Sequence, residues 1–240
     1  RFSWQLASDQ RNIMQTAYEI VVSGAKGPIW KTGKVMGDQS VQVPYAGPAL
    51  QSTKKYTWQL RVWDNSDKPS AWSEPAFFQT ALVKPEDGKA KWIEAGFQED
   101  SINRPAILFR RQFGLNGKIT SATLYITAHG MYEAQINGKR VGDAYLAPGW
   151  TSYNIRLQYQ AYDVTNMLTS GNNVIGGMVG NGWYRGYLAW EDNKNIYGKK
   201  LGLLVQLEIT YSNGKKETII SDEKWKSSTS QSTRKSHGTK

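Results

Sequence analysis

The chain has 240 residues, 30 Lys+Arg against 20 Asp+Glu for a formal charge of +10, ten tryptophans, and no cysteine. That length suits one large all-β domain or two smaller ones, and the missing cysteines exclude a disulfide scaffold, a thiolate zinc site and a cysteine nucleophile. His129 and His237 are its two histidines, so an imidazole-rich metal cluster is excluded too.

Residues 2–82 alternate short aromatic and β-branched runs with turn residues, the pattern of an antiparallel sandwich. Strands are predicted over 2–6, 16–23, 41–45, 55–64 and 76–81. In the fourth, Tyr56, Trp58, Leu60 and Val62 share one face and mark a core. Residues 83–91, with Lys84, Pro85, Glu86, Asp87, Gly88 and Lys89, read as a linker.

From 92 to 229 the strand-and-turn pattern resumes. Strands are predicted over 107–113, 122–127, 131–136, 157–162, 173–179, 201–211 and 217–221, with type I′ turns at Asn137-Gly138 and Asn213-Gly214. Only 163–168 suggests a helical turn, capped by Asp163 or Thr165. The fold class is therefore all-β: two antiparallel β-sandwiches in tandem, the first fibronectin-III/immunoglobulin-like and the second jelly-roll-like. Residues 227–240 contain no apolar side chain and are expected to bury no strand, with 230–240 a flexible tail.

The charge excess divides as +3 over 1–82, +3 over 83–210 and +4 over 211–240. No segment forms the concentrated basic stripe of a nucleic-acid reader, and no apolar run approaches the roughly 18 residues of a membrane span. Neither nucleic acid nor membrane is expected as a partner. Arg1 stands inside a strand-like run without a leader before it, as though within a longer polypeptide.

Trp150 follows Pro148-Gly149, and Trp183 follows Gly180-Asn181-Gly182, so each indole is displayed on a turn. Flat aromatic faces beside amide, guanidinium and carboxylate groups suit a sugar, whose C–H face stacks while its hydroxyls need paired partners. Trp150, Tyr153, Asn181, Trp183, Tyr184, Arg185, Trp190 and Asp192 are the carbohydrate-binding or cleft-rim candidates, with Glu191 and Asn193 beside them. The same aromatics serve equally well to plug the ends of the sandwich and pack on a neighbouring domain. No acid/base pair is nominated, because Glu191 and Asp192 are adjacent and share one loop.

Taken in order, the segments HGMYEAQINGKRVGD (129–143), APGWTSYNIRLQYQAYDVT (147–165) and GNGWYRG (180–186) resemble the N-terminal accessory region of bacterial α-L-rhamnosidases of glycoside hydrolase family 78. The segments FSWQL, QTAYEIVVS, IWKTGKV, YAGPALQSTKKYTWQLRVWD and WSEPAFFQTAL resemble the fibronectin-III-like domain that precedes it, so the likeness covers about 1–229.

This resemblance implies a parent enzyme that removes terminal α-L-rhamnose with inversion. Its two carboxylates lie in a downstream (α/α)6 barrel, so the present chain is expected to be non-catalytic, with that barrel and a rhamnose-containing glycan as its partners. It also implies a bacterial, extracytoplasmic protein. Some relatives of the second unit bind rhamnose with calcium through an acid–amide pair just before the strand that here begins at Met131. Ala128 and His129 stand there instead and remove the carboxylate oxygen that calcium prefers, so no cofactor is expected. His129 is read as a hydrogen-bonded structural imidazole. The family commonly has Asp where Asn181 stands, and continues after 229 with an acidic, aromatic strand where this chain has SQSTRKSHGTK.

Overall fold

A computed structural model describes residues 1–188, 190 and 192–230. The chain divides between Gly88 and Lys89 into two compact units. Among the described residues no helix is long and apolar enough to cross a membrane.

The first unit is built on a sheet in which β1 (Gln15–Gly24) lies between β2 (Gly27–Lys31) and β4 (Lys55–Asp64), with β5 (Ala76–Gln79) on the far side of β4 and β3 (Val35–Met36) also paired to β1. Register sets Tyr18 opposite Val62, Ile20 opposite Leu60 and Val22 opposite Trp58. The alternating apolar set of each strand therefore falls on one face and closes a core with Phe2, Val43 and Tyr56. The predicted strands at 2–6 and 41–45 reduce to a single bridge between Phe2 and Val43. Their rings enter the core, Phe2 lying 4.9 Å from Trp58, but irregular backbone carries them.

Residues 83–91, expected to form a linker, are tied down at both ends. Val83 N donates to Ser52 Oγ at 2.8 Å, Pro85–Asp87 form a 3-10 turn, and Ser52 Oγ donates to Asp87. On the other side of the division Lys89 N donates to Gln206 Oε1 at 2.7 Å and Lys91 N to Ser221 O at 3.0 Å.

The second unit packs two sheets. One has the order β10 (Lys139–Arg140), β9 (Met131–Ile136), β12 (Gly171–Gly180), β7 (Ile107–Leu115), β15 (Lys226–Thr229). The other runs β11 (Gln160–Asp163), β8 (Ile119–His129), β13 (Gly202–Tyr211), β14 (Lys216–Ile220), with β6 (Ile93–Glu94) also on β13. Leu124, Ile126 and Ala128 stand opposite Leu207, Val205 and Leu203 in register, and all six are buried against Ile107, Ile136, Ile175 and Val179 of the facing sheet. The sheets approach closely at Gly177, where a Cβ would come 2.8 Å from Leu203 Cδ2.

Three local expectations need correction. Residues 226–229 form β15 although they carry no large apolar group: pairing with β7 is made by backbone hydrogen bonds alone, from Lys226 opposite Arg110 to Thr229 opposite Ile107. The remainder of the expected tail, 231–240, lies outside the described residues. The turn at 213–214 is not type I′, because among its two central residues only Gly214 has positive φ (81°); its amide donates to Tyr211 O at 2.9 Å, as in a longer loop with one left-handed glycine. At Asn137-Gly138 both φ values are positive, 52° and 78°. The helical turn at Thr165–Met167 has Val164 at its N-cap, without a side-chain cap; Asp163 Oδ1 instead accepts from Thr165 N and Oγ1.

Candidate functional site

The aromatic candidates come together where two loops of the second unit meet. The first, after β10, turns at Leu146 (φ 58°) and Gly149 (φ 96°) and includes a cis Ala147–Pro148 peptide. It is secured by Gln160 Nε2 donating to Pro148 O at 3.0 Å and by Tyr153 Oη donating to Gly149 O at 2.9 Å. The result is a rigid platform that holds Trp150 56% exposed.

The second loop begins with one helical turn, α1 (Gly182–Arg185), which alternation could not have forecast from four residues. Gly182 opens it at φ 49°, and a Cβ there would strike the Met131 side chain and approach Met131 N to 3.2 Å, so only glycine fits. The turn sets Trp183 parallel to Trp150, 6° between planes and 5.8 Å between centroids. Trp150 Nε1 donates to Tyr197 Oη at 3.3 Å, which ties the loops together.

Tyr184 is covered by two rings, one of them capped by a third. Tyr153 meets it edge-on at 5.5 Å, and the His129 imidazole lies flat on it, with Trp92 on the opposite face of the imidazole. Burial raises the pKa of Tyr184 and of Tyr153, helped by Glu94 and by Tyr197 respectively. Gly198 makes room for the Tyr184 hydroxyl, since a Cβ there would collide with it. Ala128 is fully buried in the core and His129 is held between rings, and neither side chain carries an oxygen. Among the described residues no group of three or more His, Cys, Asp or Glu could hold a metal ion.

Asn181 and Arg185 form the base of the second loop. Arg185 Nε donates to Asn181 Oδ1 at 2.8 Å, Nη1 pairs with Glu99, and Arg104 Nη2 donates to Arg185 O at 2.8 Å. Trp190 and Asp192 stand apart from this cluster. They occupy the tip of a hairpin closed by the Tyr187–Lys194 bridge, where Trp190 is 87% exposed and Asp192 has φ 52°. Glu191 lies outside the described residues.

Sequence reasoning missed Trp92, Glu99, Arg104 and Tyr197. Each enters through a ring contact, ion pair or hydrogen bond with a residue distant along the chain, which leaves no local pattern. The site has rigid stacking faces and hydrogen-bond donors. Of the carboxylates nearby, Glu99 is ion-paired with Arg185, and hydrogen bonds from Asn103 and Ile102 hold the Asp100 pKa low.

A family profile described as "Alpha-L-rhamnosidase N-terminal domain" matches residues 117–237, and one described as "Rha78A-like, N-terminal immunoglobulin domain" matches residues 1–84. An alpha-L-rhamnosidase of Formosa agariphila is 38% identical over 242 residues, spanning 95% of this chain and 26% of its own length. The crystal structure of an alpha-L-rhamnosidase from Aspergillus terreus superposes with a TM-score of 0.86 at 39% identity, covering 95% of this chain and 27% of that one. The enzyme from Dictyoglomus thermophilum gives 0.83 at 34% identity, with 95% and 27% covered. The chain thus spans about a quarter of the length of the relatives it matches. With a matching immunoglobulin domain in front and the matched β-sandwich behind it, the chain belongs to the α-L-rhamnosidase N-terminal domain family.

Proposed function

We propose that this chain is the non-catalytic front of an enzyme that hydrolyses terminal α-L-rhamnose from glycosides or polysaccharides, and that its second unit packs on an (α/α)6 catalytic domain of the same polypeptide. The acid and base of the inverting reaction are supplied by that domain, and no calcium ion is required in this chain. A polysaccharide substrate places the enzyme outside the cytoplasm.

One observation carries the reading. Two loops locked together at Trp150 and Tyr197 hold Tyr145, Leu146, Trp150, Ile155, Tyr187 and Ile196 largely exposed. Apolar side chains concentrated on rigid loops mark a surface built to be covered.

The test uses Ile155→Ser combined with Ile196→Ser. In the isolated chain both residues are exposed, so the thermal midpoint should be unchanged. In the full-length enzyme the same pair should lower the thermal midpoint and the turnover of an aryl rhamnoside. Unchanged stability and turnover in the full-length enzyme would refute the packing role.

A second reading has one observation in its favour, the parallel indoles of Trp150 and Trp183, which offer a sugar a stacking face. An autonomous rhamnose-binding module would show saturable tryptophan fluorescence changes with L-rhamnose, with or without added calcium. The packing role predicts none.

A further inference from the structure

The second unit also holds an open cleft of about 480 Å³, with Glu99, Arg104, Arg185, Lys194, Asn195 and Lys199 in its wall. Arg185 is 3% exposed. Its Nε and Nη1 are engaged by Asn181 and Glu99, whereas Nη2 is buried with no hydrogen-bond partner among the described residues. A buried guanidinium nitrogen lacking an acceptor is a costly unsatisfied donor, since a charged group loses most on leaving water.

A second guanidinium sits beside it. Arg104 Nη2 donates to Arg185 O and, at 2.5 Å, to Asn195 Oδ1. Burial and then the Arg185 charge pull the Arg104 pKa down. The neighbouring acids are already engaged: Glu99 with Arg185, Glu94 with Lys200 at 3.1 Å, and Asp100 with Ile102 N and Asn103 of its own turn. Counting Asp100, whose charge those amide hydrogen bonds do not cancel, the cleft wall carries five basic groups against three acids, and Arg104, Lys194 and Lys199 have no ion-pair partner among the described residues.

From this arrangement we infer that the cleft binds the carboxylate of an acidic sugar, a hexuronate, through the guanidinium edges of Arg185 and Arg104 with Lys194 and Lys199 at the rim. One donor from each of the two neighbouring guanidinium groups can meet one oxygen of a planar carboxylate. The choice of a saccharide as its carrier rests on the glycosidase reading above; the anion does not.

The experiment is a calorimetric titration of the 240-residue chain at low salt with D-galacturonate, D-galactose and acetate. Galacturonate should saturate at roughly millimolar concentration. Galactose, which has a hydroxymethyl group in place of the carboxylate, and acetate, which lacks the sugar, should each bind at least about tenfold more weakly. Lys199→Gln should weaken galacturonate several-fold at an unchanged thermal midpoint, and Arg185→Lys, which keeps the charge but loses the fork, should abolish binding. Should Arg185→Lys fail to fold, Lys199→Gln and Lys194→Gln carry the test.

Equal affinity for galactose would remove the carboxylate from the explanation. Equal affinity for acetate would leave an anion hole without a sugar, and absence of saturation by galacturonate would end the inference. All three outcomes are read without the catalytic domain, so they are separable from failure of the packing role.

Discussion

The imidazole of His129 lies parallel to the ring of Tyr184, 3° between planes and 4.6 Å between centroids, with the indole of Trp92 at 3.9 Å on its other face. The stack joins the end of β8, the turn α1 and the segment entering β6. It replaces the hydrogen-bonded imidazole expected from sequence with one held by its faces.

Burial lowers the His129 pKa from its ordinary 6.5, with Glu94 pulling weakly the other way. A folded pKa below the unfolded one means that the unfolded chain takes up the proton first as pH falls. The stability linked to this group is therefore complete above pH 6.5 and declines as pH drops from there toward the depressed folded value. Thermal midpoints should fall over that window, and His129→Phe should flatten the difference. An identical slope in both proteins would place the proton uptake elsewhere.

Gly130 joins β8 to β9 at φ 135°, and a Cβ there would collide with Gly180 O and lie 2.9 Å from Val179 Cγ1. Gly130→Ala should cost about 3 kcal/mol from strain and overpacking. Gly138 also has positive φ, 78°, but nothing lies within 4 Å of a Cβ there. Gly138→Asn should cost about 1 kcal/mol or less, because Asn tolerates the left-handed region. Denaturant midpoints that fail to separate the two would remove the steric explanation.

Arg111 and Asp222 form a nearly buried ion pair at 2.7 Å, their side chains 11% and 12% exposed, and Arg111 Nη1 also donates to Ile220 O at 2.8 Å. Asp222→Ala strands the guanidinium and should cost about 3 kcal/mol, whereas joint replacement of both residues by apolar ones should recover much of that loss. Urea unfolding of the two single variants and the double variant tests this as a cycle. Additive losses would show that the pair is not coupled.

In the first unit the Arg61 guanidinium lies 4.9 Å from the Trp63 ring and 4.8 Å from the Trp72 ring, and pairs with Glu19 at 2.7 Å. Arg61→Lys keeps the charge but loses the flat stacking surface, and should destabilise this unit by about 1 kcal/mol. Arg61→Met, which also leaves the Glu19 carboxylate without its partner, should cost more. Chemical denaturation followed by tryptophan fluorescence compares them, and equal losses would remove the charge from the explanation.

Alternation made the regular strands legible. The 131–136 expectation coincides with β9, and the Tyr56-to-Val62 face supplies Tyr56 and Leu60 to the first core. It overextended at 2–6 and 41–45, where aromatic content signals burial of rings and says little of backbone pairing. It failed in the opposite direction at 226–229, where a strand is made by pairing without burial. In the candidate site, glycine and proline punctuation revealed the displayed rings Trp150 and Trp183. Arg185 was named there too, but its partners Glu99 and Arg104 were invisible, because they lie 86 and 81 positions from it and meet it only through the fold.

The fold gives the Asn181 amide two different tasks. Its oxygen accepts from Arg185 Nε at 2.8 Å, while its nitrogen donates to Arg104 O at 3.4 Å. A carboxylate could do the first but not the second, and it would add a second negative charge beside an arginine already paired with Glu99. One nitrogen in place of one oxygen thus joins the two arginine segments and leaves the cleft electropositive.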